Sequence, residues 1–364
     1  MKNLLRPLSL ALFIAATLLM QNACNRTSPS SNPPTQNAHT QTSPPSDTLP
    51  ATGPSPYFCK AIGGPASEGG NSLIQTSDGG YAIAGAITSF GAGSGDVYVV
   101  KLDANGNLQW TKTIGGENED VGTSLIQTSD GGYAIAGYTY SFGAGLTDVY
   151  VVKLDANGNL QWTKTIGGKI WENGHSLIQT SDGGYAIAGD TYSLNAADWD
   201  FYVVKLDANG NLQWTKTIGG ENIDRGYSLI QTSDGGYAIA GTTQSFGAGE
   251  WDVYVVKLDA HGNLQWTKTI GGPESEIGQS LIQTSDGGFA IAGETYSFGA
   301  GKSDVYVVKL DKNGHACCAV SQTSQVGSGG TLGSPTPSIG SGGTLTTPPT
   351  PSTSSGGSLT NQCP

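Results

Sequence analysis

Residues 72–116 read SLIQTSDGGYAIAGAITSFGAGSGDVYVVKLDANGNLQWTKTIGG, and the chain repeats this stretch three more times with few changes and a fourth time without its last ten residues. The first serine recurs every 52 residues, at Ser72, Ser124, Ser176, Ser228 and Ser280. A constant period of this size indicates a repeat protein, in which each unit is one small motif that packs on its neighbours. Because the period never changes, the connecting loops have the same length in every copy.

One copy contains four short runs of strand-forming residues, which are separated by turn residues. The predicted strands are about 72–76, 81–88, 96–102 and 108–114. The connections at 77–80 and 103–107 are predicted to be tight turns, because glycine tolerates a positive φ. No helical period appears in any copy, so the sequence predicts an all-β protein.

The third strand of a copy is apolar on both faces, as in Val97-Tyr98-Val99-Val100. A strand of this kind is buried on both sides, as happens when one sheet lies between two others. Four-stranded antiparallel units that repeat at about 50 residues are typical of propeller blades. The sequence therefore predicts a five-bladed β-propeller over residues 57–320.

The two ends of the repeat region suggest how the ring closes. Residues 58–64 align with 110–116, since Phe58 lies 52 residues before Trp110. The fifth copy loses its fourth strand at 315–319, where the repeat sequence is no longer present. We therefore expect the N-terminal strand to complete the fifth blade and to close the propeller.

The chain outside the repeats has a different composition. Residues 1–23 begin with positive charge and continue with an apolar run at 8–20, shorter than the roughly 20 residues that span a bilayer, which predicts a signal peptide. Residues 24–56 and 321–364 contain too few apolar residues to form a core, so we predict a disordered tether and a flexible tail. The tail contains Gly-Ser-Gly-Gly-Thr-Leu at 327–332 and again at 340–345.

The start of the chain resembles a bacterial lipoprotein signal, because Ala23 precedes Cys24 at the end of the apolar run. The resemblance implies that Cys24 is lipidated and becomes the N-terminus, although Gln21 stands where that family favours an aliphatic residue. Secretion without lipid is the alternative. Four cysteines then remain as disulfide candidates, an even number in an exported protein: Cys59, Cys317, Cys318 and Cys363. Cys59 could pair with Cys317 or Cys318 and so lock the closing blade, and free thiols are the alternative.

Composition and motifs limit the possible functions. The formal charge is −12, which argues against nucleic-acid binding because that needs a basic face. No Ser-His-Asp or Cys-His arrangement and no nucleotide-binding loop appears, and the four histidines are dispersed. The turn at 103–107 lacks the closing Glu of a calcium loop. We therefore expect no cofactor and no metal.

The repeat resembles the repeats of bacterial and archaeal exported β-propeller proteins over residues 58–320. Residues 102–106, followed by Trp110, are also similar to the tryptophan-docking motif of quinoprotein propellers, in which Asp, Gly and Trp tie each blade to the next. These resemblances imply a propeller fold. They imply no activity, and they do not carry the quinone cofactor over to this chain.

Two of the four connections in each copy vary, those at 89–95 and 117–123, and both lie on the same side of an up-and-down sheet. Variable loops on a rigid scaffold are typical of a binding surface. Acidic residues recur on this side, at Glu117, Glu119, Asp120, Glu172, Glu221, Asp224, Glu274 and Glu276. The candidate binding residues are aromatic side chains that break the repeat: Trp171, Trp199, Trp251, Tyr192 and Tyr227. They offer flat faces to sugar rings or to a protein, and packing of each Trp on its own loop is the alternative.

The sequence thus predicts a non-catalytic monomer that is exported and held at the cell envelope or surface by lipid, or otherwise secreted. Its variable face would bind an extracellular or envelope protein or a glycan. One alternative is an enzyme that acts on an extracellular polymer at the central funnel, with Glu172 and His175 as candidates. Another is a scaffold lipoprotein in envelope assembly.

Overall fold

The computed structural model describes residues 58–193, 198–299 and 301–316, together with the backbone of four three-residue segments between 325 and 346. The predicted signal peptide, the predicted tether and four of the five cysteines lie outside the described residues. Every element of the described chain is a β-strand. The all-β prediction is therefore confirmed.

Nineteen strands form five antiparallel sheets, one for each copy of the repeat. Sheet 1 contains β1 (Glu68–Gln75), β2 (Tyr81–Ile87), β3 (Asp96–Leu102) and β4 (Leu108–Gly115). Sheet 2 contains β5 (Asp120–Gln127), β6 (Tyr133–Thr139), β7 (Asp148–Leu154) and β8 (Leu160–Gly167). Sheet 3 contains β9 (Glu172–Gln179), β10 (Tyr185–Thr191), β11 (Asp200–Leu206) and β12 (Leu212–Gly219). Sheet 4 contains β13 (Asp224–Gln231), β14 (Tyr237–Thr243), β15 (Asp252–Leu258) and β16 (Leu264–Gly271). Sheet 5 contains β17 (Glu276–Gln283), β18 (Phe289–Thr295) and β19 (Asp304–Leu310).

An aspartate holds each tight turn. In the first turn of sheet 1, Asp78 accepts hydrogen bonds from the Gly80 amide (3.0 Å) and from the buried Lys101 ammonium group (2.9 Å). In the second turn, Asp103 accepts from the amides of Asn105 and Asn107, both at 2.8 Å. These contacts match the turn interpretation of residues 103–107, because side chains and backbone of the turn itself use the carboxylate oxygens.

Neighbouring sheets pack face to face, and their first strands converge. β1, β5, β9 and β13 each contact the first strand of the next sheet. The third strands of sheets 1 to 4 are buried along their whole length, as the apolar pattern on both faces predicts. Sheets that meet at their first strands and splay outwards form a propeller-like fan, with the first strands nearest the axis.

Four further strands lie at the outer edges of the fan: β20 (Gln325–Gly327), β21 (Thr331–Gly333), β22 (Ser338–Gly340) and β23 (Thr344–Thr346). They pair antiparallel with β16, β12, β8 and β4 in that order, so each adds a fifth strand to one sheet. The sequence analysis did not foresee these pairings. The predicted flexibility of the rest of 321–364 falls outside the described residues.

The predicted closure by the N-terminal strand is not seen among the described residues. Sheet 5 has three strands, and residues 58–64 pair with none of them. Phe58 instead packs edge-on against Tyr81 of sheet 1, with ring centroids 5.6 Å apart. The outer face of sheet 5 is consequently open to solvent, and Val305 and Val307 are 83% and 67% exposed.

Candidate functional site

Each junction between neighbouring sheets contains a pair of buried carboxylates. Between sheets 2 and 3 the pair is Asp148 of β7 and Glu172 of β9. Glu172 accepts hydrogen bonds from the Gly168 amide (2.6 Å) and the Thr191 hydroxyl (2.8 Å). Burial, with a contribution from the charge of Glu172, raises the pKa of Asp148 to about 6.

Equivalent carboxylate pairs lie at the other junctions: Asp96 with Asp120, Asp200 with Asp224, and Asp252 with Glu276. Four of the acidic residues assigned to the variable surface, Asp120, Glu172, Asp224 and Glu276, are therefore buried in sheet packing. That part of the prediction is wrong, because these side chains turn inwards to accept hydrogen bonds from glycine amides, such as those of Gly116 and Gly220.

Three aromatic side chains meet on the variable side of sheet 3. Trp171 precedes β9, while Tyr192 and Trp199 flank the connection between β10 and β11. The rings of Trp171 and Trp199 are stacked, with centroids 6.1 Å apart and planes at 16°, and Tyr192 lies 5.6 Å from each. All three side chains are half-buried, so each combines a packed face with an accessible one.

A polar network adjoins this aromatic group. Asp190 of β10 is 3% exposed, and its carboxylate lies 3.2 Å from Nε2 of His175 and 3.8 Å from Nε of Arg225. Asn173 also donates a 3.0 Å hydrogen bond to Asp190. Burial opposes ionisation of Asp190, but these three neighbours outweigh it and hold the pKa of that carboxyl below its ordinary value.

Arg225 joins the two groups. Its guanidinium carbon lies 5.3 Å from the ring centroid of Trp199, within range of a cation–π contact. On the other side of the network, the ring of Tyr227 lies 5.8 Å from that of His175. We call these eight residues the junction cluster: Trp171, Asn173, His175, Asp190, Tyr192, Trp199, Arg225 and Tyr227.

The junction cluster breaks the symmetry of the repeat. The positions equivalent to Asp190 hold Ala86, Tyr138, Thr242 and Glu294, and those equivalent to Arg225 hold Gly69, Val121, Asn173 and Ile277. The cluster uses the first residues of β9 and β13, where those strands begin on the variable side. Because the first strands are nearest the axis, the junction cluster lies close to the axis of the fan.

The structure brings four of the five predicted binding residues into this cluster. Trp251 is the exception: it occupies the position of Trp199 in the next sheet, where its backbone bridges to Ser275, and no described aromatic ring stacks on it. The alternative was that each Trp packs on its own loop. It holds only in part for Trp171 and Trp199, because their rings stack on each other across two loops.

Sequence reasoning missed Asn173, Asp190 and Arg225. Asn173 and Arg225 lie at equivalent positions of a predicted variable connection, where only acidic and aromatic residues were considered, and Asp190 lies in a predicted strand, where the copies were not compared. Sequence reasoning also placed His175 in a loop, but β9 begins three residues earlier. A comparison between copies at every position, for every residue type, would have found the three missed residues.

The junction cluster has the chemistry of a recognition site. Two half-buried indoles offer flat apolar surface, and Arg225 is the only arginine among the described residues. The side chains of Arg225 and His175 are 31% and 27% exposed, so both can present donors to a ligand. The Glu172–His175 pair considered for catalysis is not formed, since His175 turns to Asp190.

Across the described part of the chain, no three His, Cys, Asp or Glu side chains lie close enough together to hold a metal ion. The described residues also include no helix with the length and apolarity needed to cross a bilayer. Cys59 is exposed. The cysteines proposed as its partners, like Cys24, lie outside the described residues, so the disulfide and the lipidation remain predictions.

Two segments of the chain, 76–108 and 128–160, match the family described as "Domain of unknown function (DUF5122) beta-propeller". The chain is also 26% identical over 266 residues to the regulatory protein FlaEY of Caulobacter vibrioides. That match covers 64% of this chain and 28% of FlaEY, so this chain corresponds to less than a third of that relative.

The sequence identity between this chain and similar solved structures is lower than that with FlaEY. A protein of unknown function from Bacteroides caccae aligns with a TM-score of 0.41 and 13% identity, covering 67% of this chain and 78% of that one. An exo-β-1,3-galactanase from Clostridium thermocellum aligns with a TM-score of 0.37 and 11% identity, covering 71% and 61%. An endo-arabinase from Bacteroides thetaiotaomicron aligns with a TM-score of 0.35 and 10% identity, covering 69% and 98%.

Proposed function

We propose that this chain is a non-catalytic binding protein of the cell envelope or surface, and that the junction cluster is its recognition site for a glycan or a protein. One observation carries the proposal: the side chains that break the repeat most strongly converge on one junction, beside the axis and on the side of the variable loops. The remaining sheets repeat nearly identical packing, which supplies a rigid frame.

Recognition would use a preformed surface. The exposed faces of Trp171 and Trp199 would stack on a sugar ring or an apolar side chain. Arg225 and His175 would donate hydrogen bonds to the polar groups of the same ligand. Because Asp190 and Trp199 already hold Arg225 in place, little side-chain freedom would be lost on binding.

Binding of the full chain to a panel of glycans and envelope proteins tests this proposal. We expect Trp199→Ala to weaken binding at least about tenfold, as truncation of a central aromatic residue commonly does. Trp251→Ala is the matched control, since it removes the same residue type at the equivalent position one sheet away. Equal effects of the two substitutions would rule out the junction cluster as the site.

We also propose that the chain is exported and anchored by lipid at Cys24. The charged start, the apolar run and Ala23-Cys24 support this. Mass spectrometry of the membrane fraction should find a lipid-modified Cys24, and Cys24→Ala should move the protein to the soluble fraction. An unmodified Cys24 in membrane-associated protein would contradict the proposal.

Ring closure belongs to the same proposal, because a closed ring would fix the positions of the variable loops. Phe58 lies against Tyr81 of sheet 1 much as Trp110 lies against Tyr133 of sheet 2, with centroids 5.6 and 5.5 Å apart. Residues 58–64 thus already occupy the place of a fourth strand next to sheet 1. Sheet 5, which has three strands, is the sheet that this strand would complete.

A polymer-acting enzyme remains the second candidate, because His175 and Asp190 form a hydrogen-bonded pair beside the axis. If the protein turns over a polysaccharide, His175→Ala should abolish turnover while Trp251→Ala leaves it unchanged. An envelope-assembly scaffold is the third candidate, and recovery of the protein in a stable membrane complex would support it.

A further inference from the structure

The four tail strands share one register. In each pairing, the middle residue of the tail strand lies opposite the isoleucine that precedes the last glycine of the fourth strand. The four pairs are Val326 with Ile270, Leu332 with Ile218, Ile339 with Ile166, and Leu345 with Ile114. The tail therefore passes from sheet 4 to sheet 1, with six or seven residues between one middle residue and the next.

A fifth edge of the same kind follows sheet 1. Residues 58–64 align with 110–116, so Ile62 occupies the position of Ile114 in the repeat. Their packing is also equivalent, because each aromatic ring packs over a turn glycine. A Cβ added to Gly106 would lie 2.6 Å from the ring of Phe58, and a Cβ added to Gly158 would lie 3.1 Å from the ring of Trp110. No described strand pairs with residues 58–64, so their backbone groups form an open edge.

The sequence after β23 contains a matching segment. Gly342-Gly343-Thr344-Leu345-Thr346, which includes β23, is nearly repeated as Gly356-Gly357-Ser358-Leu359-Thr360. Leu359 follows Leu345 by 14 residues, whereas the earlier steps cover six or seven. At about 3.3 Å per residue, this length is more than sufficient to reach the next edge.

We propose that Ser358–Thr360 pairs antiparallel with residues 61–63 and completes a belt of five strands around the fan. By the register of β23, Leu359 lies opposite Ile62, Ser358 opposite Gly63, and Thr360 opposite Ala61. The occupant of this edge is thus a segment of the chain itself. The pairing covers backbone groups that would otherwise offer a template for another chain.

Hydrogen exchange of the full chain, followed on the peptide that covers residues 58–64, tests the pairing. Leu359→Pro removes an amide and blocks strand pairing at the proposed site. Thr353→Pro is the control, because it lies in the linker, which already contains Pro348, Pro349 and Pro351. We expect exchange in 58–64 to be at least about tenfold faster in Leu359→Pro than in the unaltered chain, and unchanged in Thr353→Pro.

Protection of residues 96–102 serves as the folding control and should be the same in all three proteins. A chain shortened after Ser354, which keeps β20 to β23, should exchange like Leu359→Pro. Equal exchange of 58–64 in the unaltered chain, in Leu359→Pro and in the shortened chain would overturn the proposal. Because Trp199 plays no part here, this result is independent of the ligand-binding test.

Discussion

Gly167, which ends β8, is required by the carboxylate pair at the junction of sheets 2 and 3. A Cβ on Gly167 would clash with a carboxylate oxygen of Asp148 and would lie 2.5 Å from Oε2 of Glu172. Neither side chain can retreat easily, because both are buried and hydrogen-bonded. This geometry accounts for a glycine at the same position in the first four copies.

We therefore expect Gly167→Ala to lower the free energy of unfolding by about 1–3 kcal/mol, the usual cost of overpacking. Gly69→Ala is the matched control, since a Cβ there meets no atom within 4 Å. Chemical denaturation of both variants measures the difference. A Gly167→Ala protein as stable as Gly69→Ala would show that the carboxylates are not packed around this glycine.

At the scale of single elements, each third strand is tied to the first turn of its own sheet by a lysine. Lys205 of β11 is 3% exposed and donates to Asp182 and to the carbonyl oxygen of Leu206, both at 2.9 Å. Lys309 makes the same contacts in β19, but its side chain is 45% exposed, because sheet 5 has an open face. The same residue therefore lies in two environments within one molecule.

We expect Lys205→Met to cost about 1–3 kcal/mol of stability, because it leaves a buried carbonyl group without its donor. Lys309→Met should cost less than about 1 kcal/mol, as is typical of solvent-exposed ion pairs. Urea titrations of the two variants provide the comparison. A larger loss for Lys309→Met would mean that the face of sheet 5 is covered in solution.

Strands proved easy to predict from the sequence, and the interior of the site proved difficult. The predicted third strand, 96–102, agrees with β3 at both ends, because an apolar run between an aspartate and a turn leaves few alternatives. The predicted first strand began at residue 72, whereas β1 begins at Glu68. A register shift between Gly70 and Ser72 interrupts the alternation there and hides the start of the strand.

The aromatic half of the junction cluster could be predicted, since Trp171, Tyr192 and Trp199 stand out in loops. Its polar half depends on contacts between sheets: Asp190 and Arg225 are 35 residues apart and meet only because β10 and β13 pack together. Local sequence carries no signal for such a contact. The tail pairings were missed because three-residue strands in a Ser/Gly-rich segment have no period that can be recognised.

For the whole molecule, two groups of carboxylates give stability opposite dependences on pH. Burial raises the pKa of Asp96 and Asp148 to about 6 and that of Asp200 to about 7, so their contribution is complete below about pH 4 and is lost as the pH rises from there to 6–7. Burial opposes ionisation of Asp130, but hydrogen bonds from Thr128 and Lys153 lower its pKa to about 2. The contribution of Asp130 is lost as the pH falls from about 4 towards 2.

Thermal melts between pH 2 and 8 should consequently show the highest melting temperature near pH 4, with a decline on both sides. Asp200→Asn should flatten the decline above pH 6, because it removes the carboxyl with the highest pKa of the three. A melting temperature that rises steadily from pH 5 to 8 would contradict these assignments.

The two end sheets determine whether the fan is open or closed in solution. Val307 is 67% exposed, whereas its equivalents in the first four sheets, Val99, Val151, Val203 and Val255, are fully buried against the next sheet. The matching surface on sheet 1 is a groove of about 540 Å³, lined in part by Leu73, Tyr81 and Ile83. Contact between these two apolar faces would remove both of them from water, and this favours closure of the ring.

If the ring closes, Val307→Asp places a charge in that contact and should cost at least about 2 kcal/mol. Ser303→Asp adds the same charge at an exposed position of the neighbouring loop and should change stability by less than about 0.5 kcal/mol. Sedimentation of the unaltered chain should give a monomer over a wide concentration range. The opposite outcome is that the unaltered chain sediments as a dimer and that Val307→Asp destabilises it. A second copy, rather than the chain's own first sheet, would then cover the face of sheet 5.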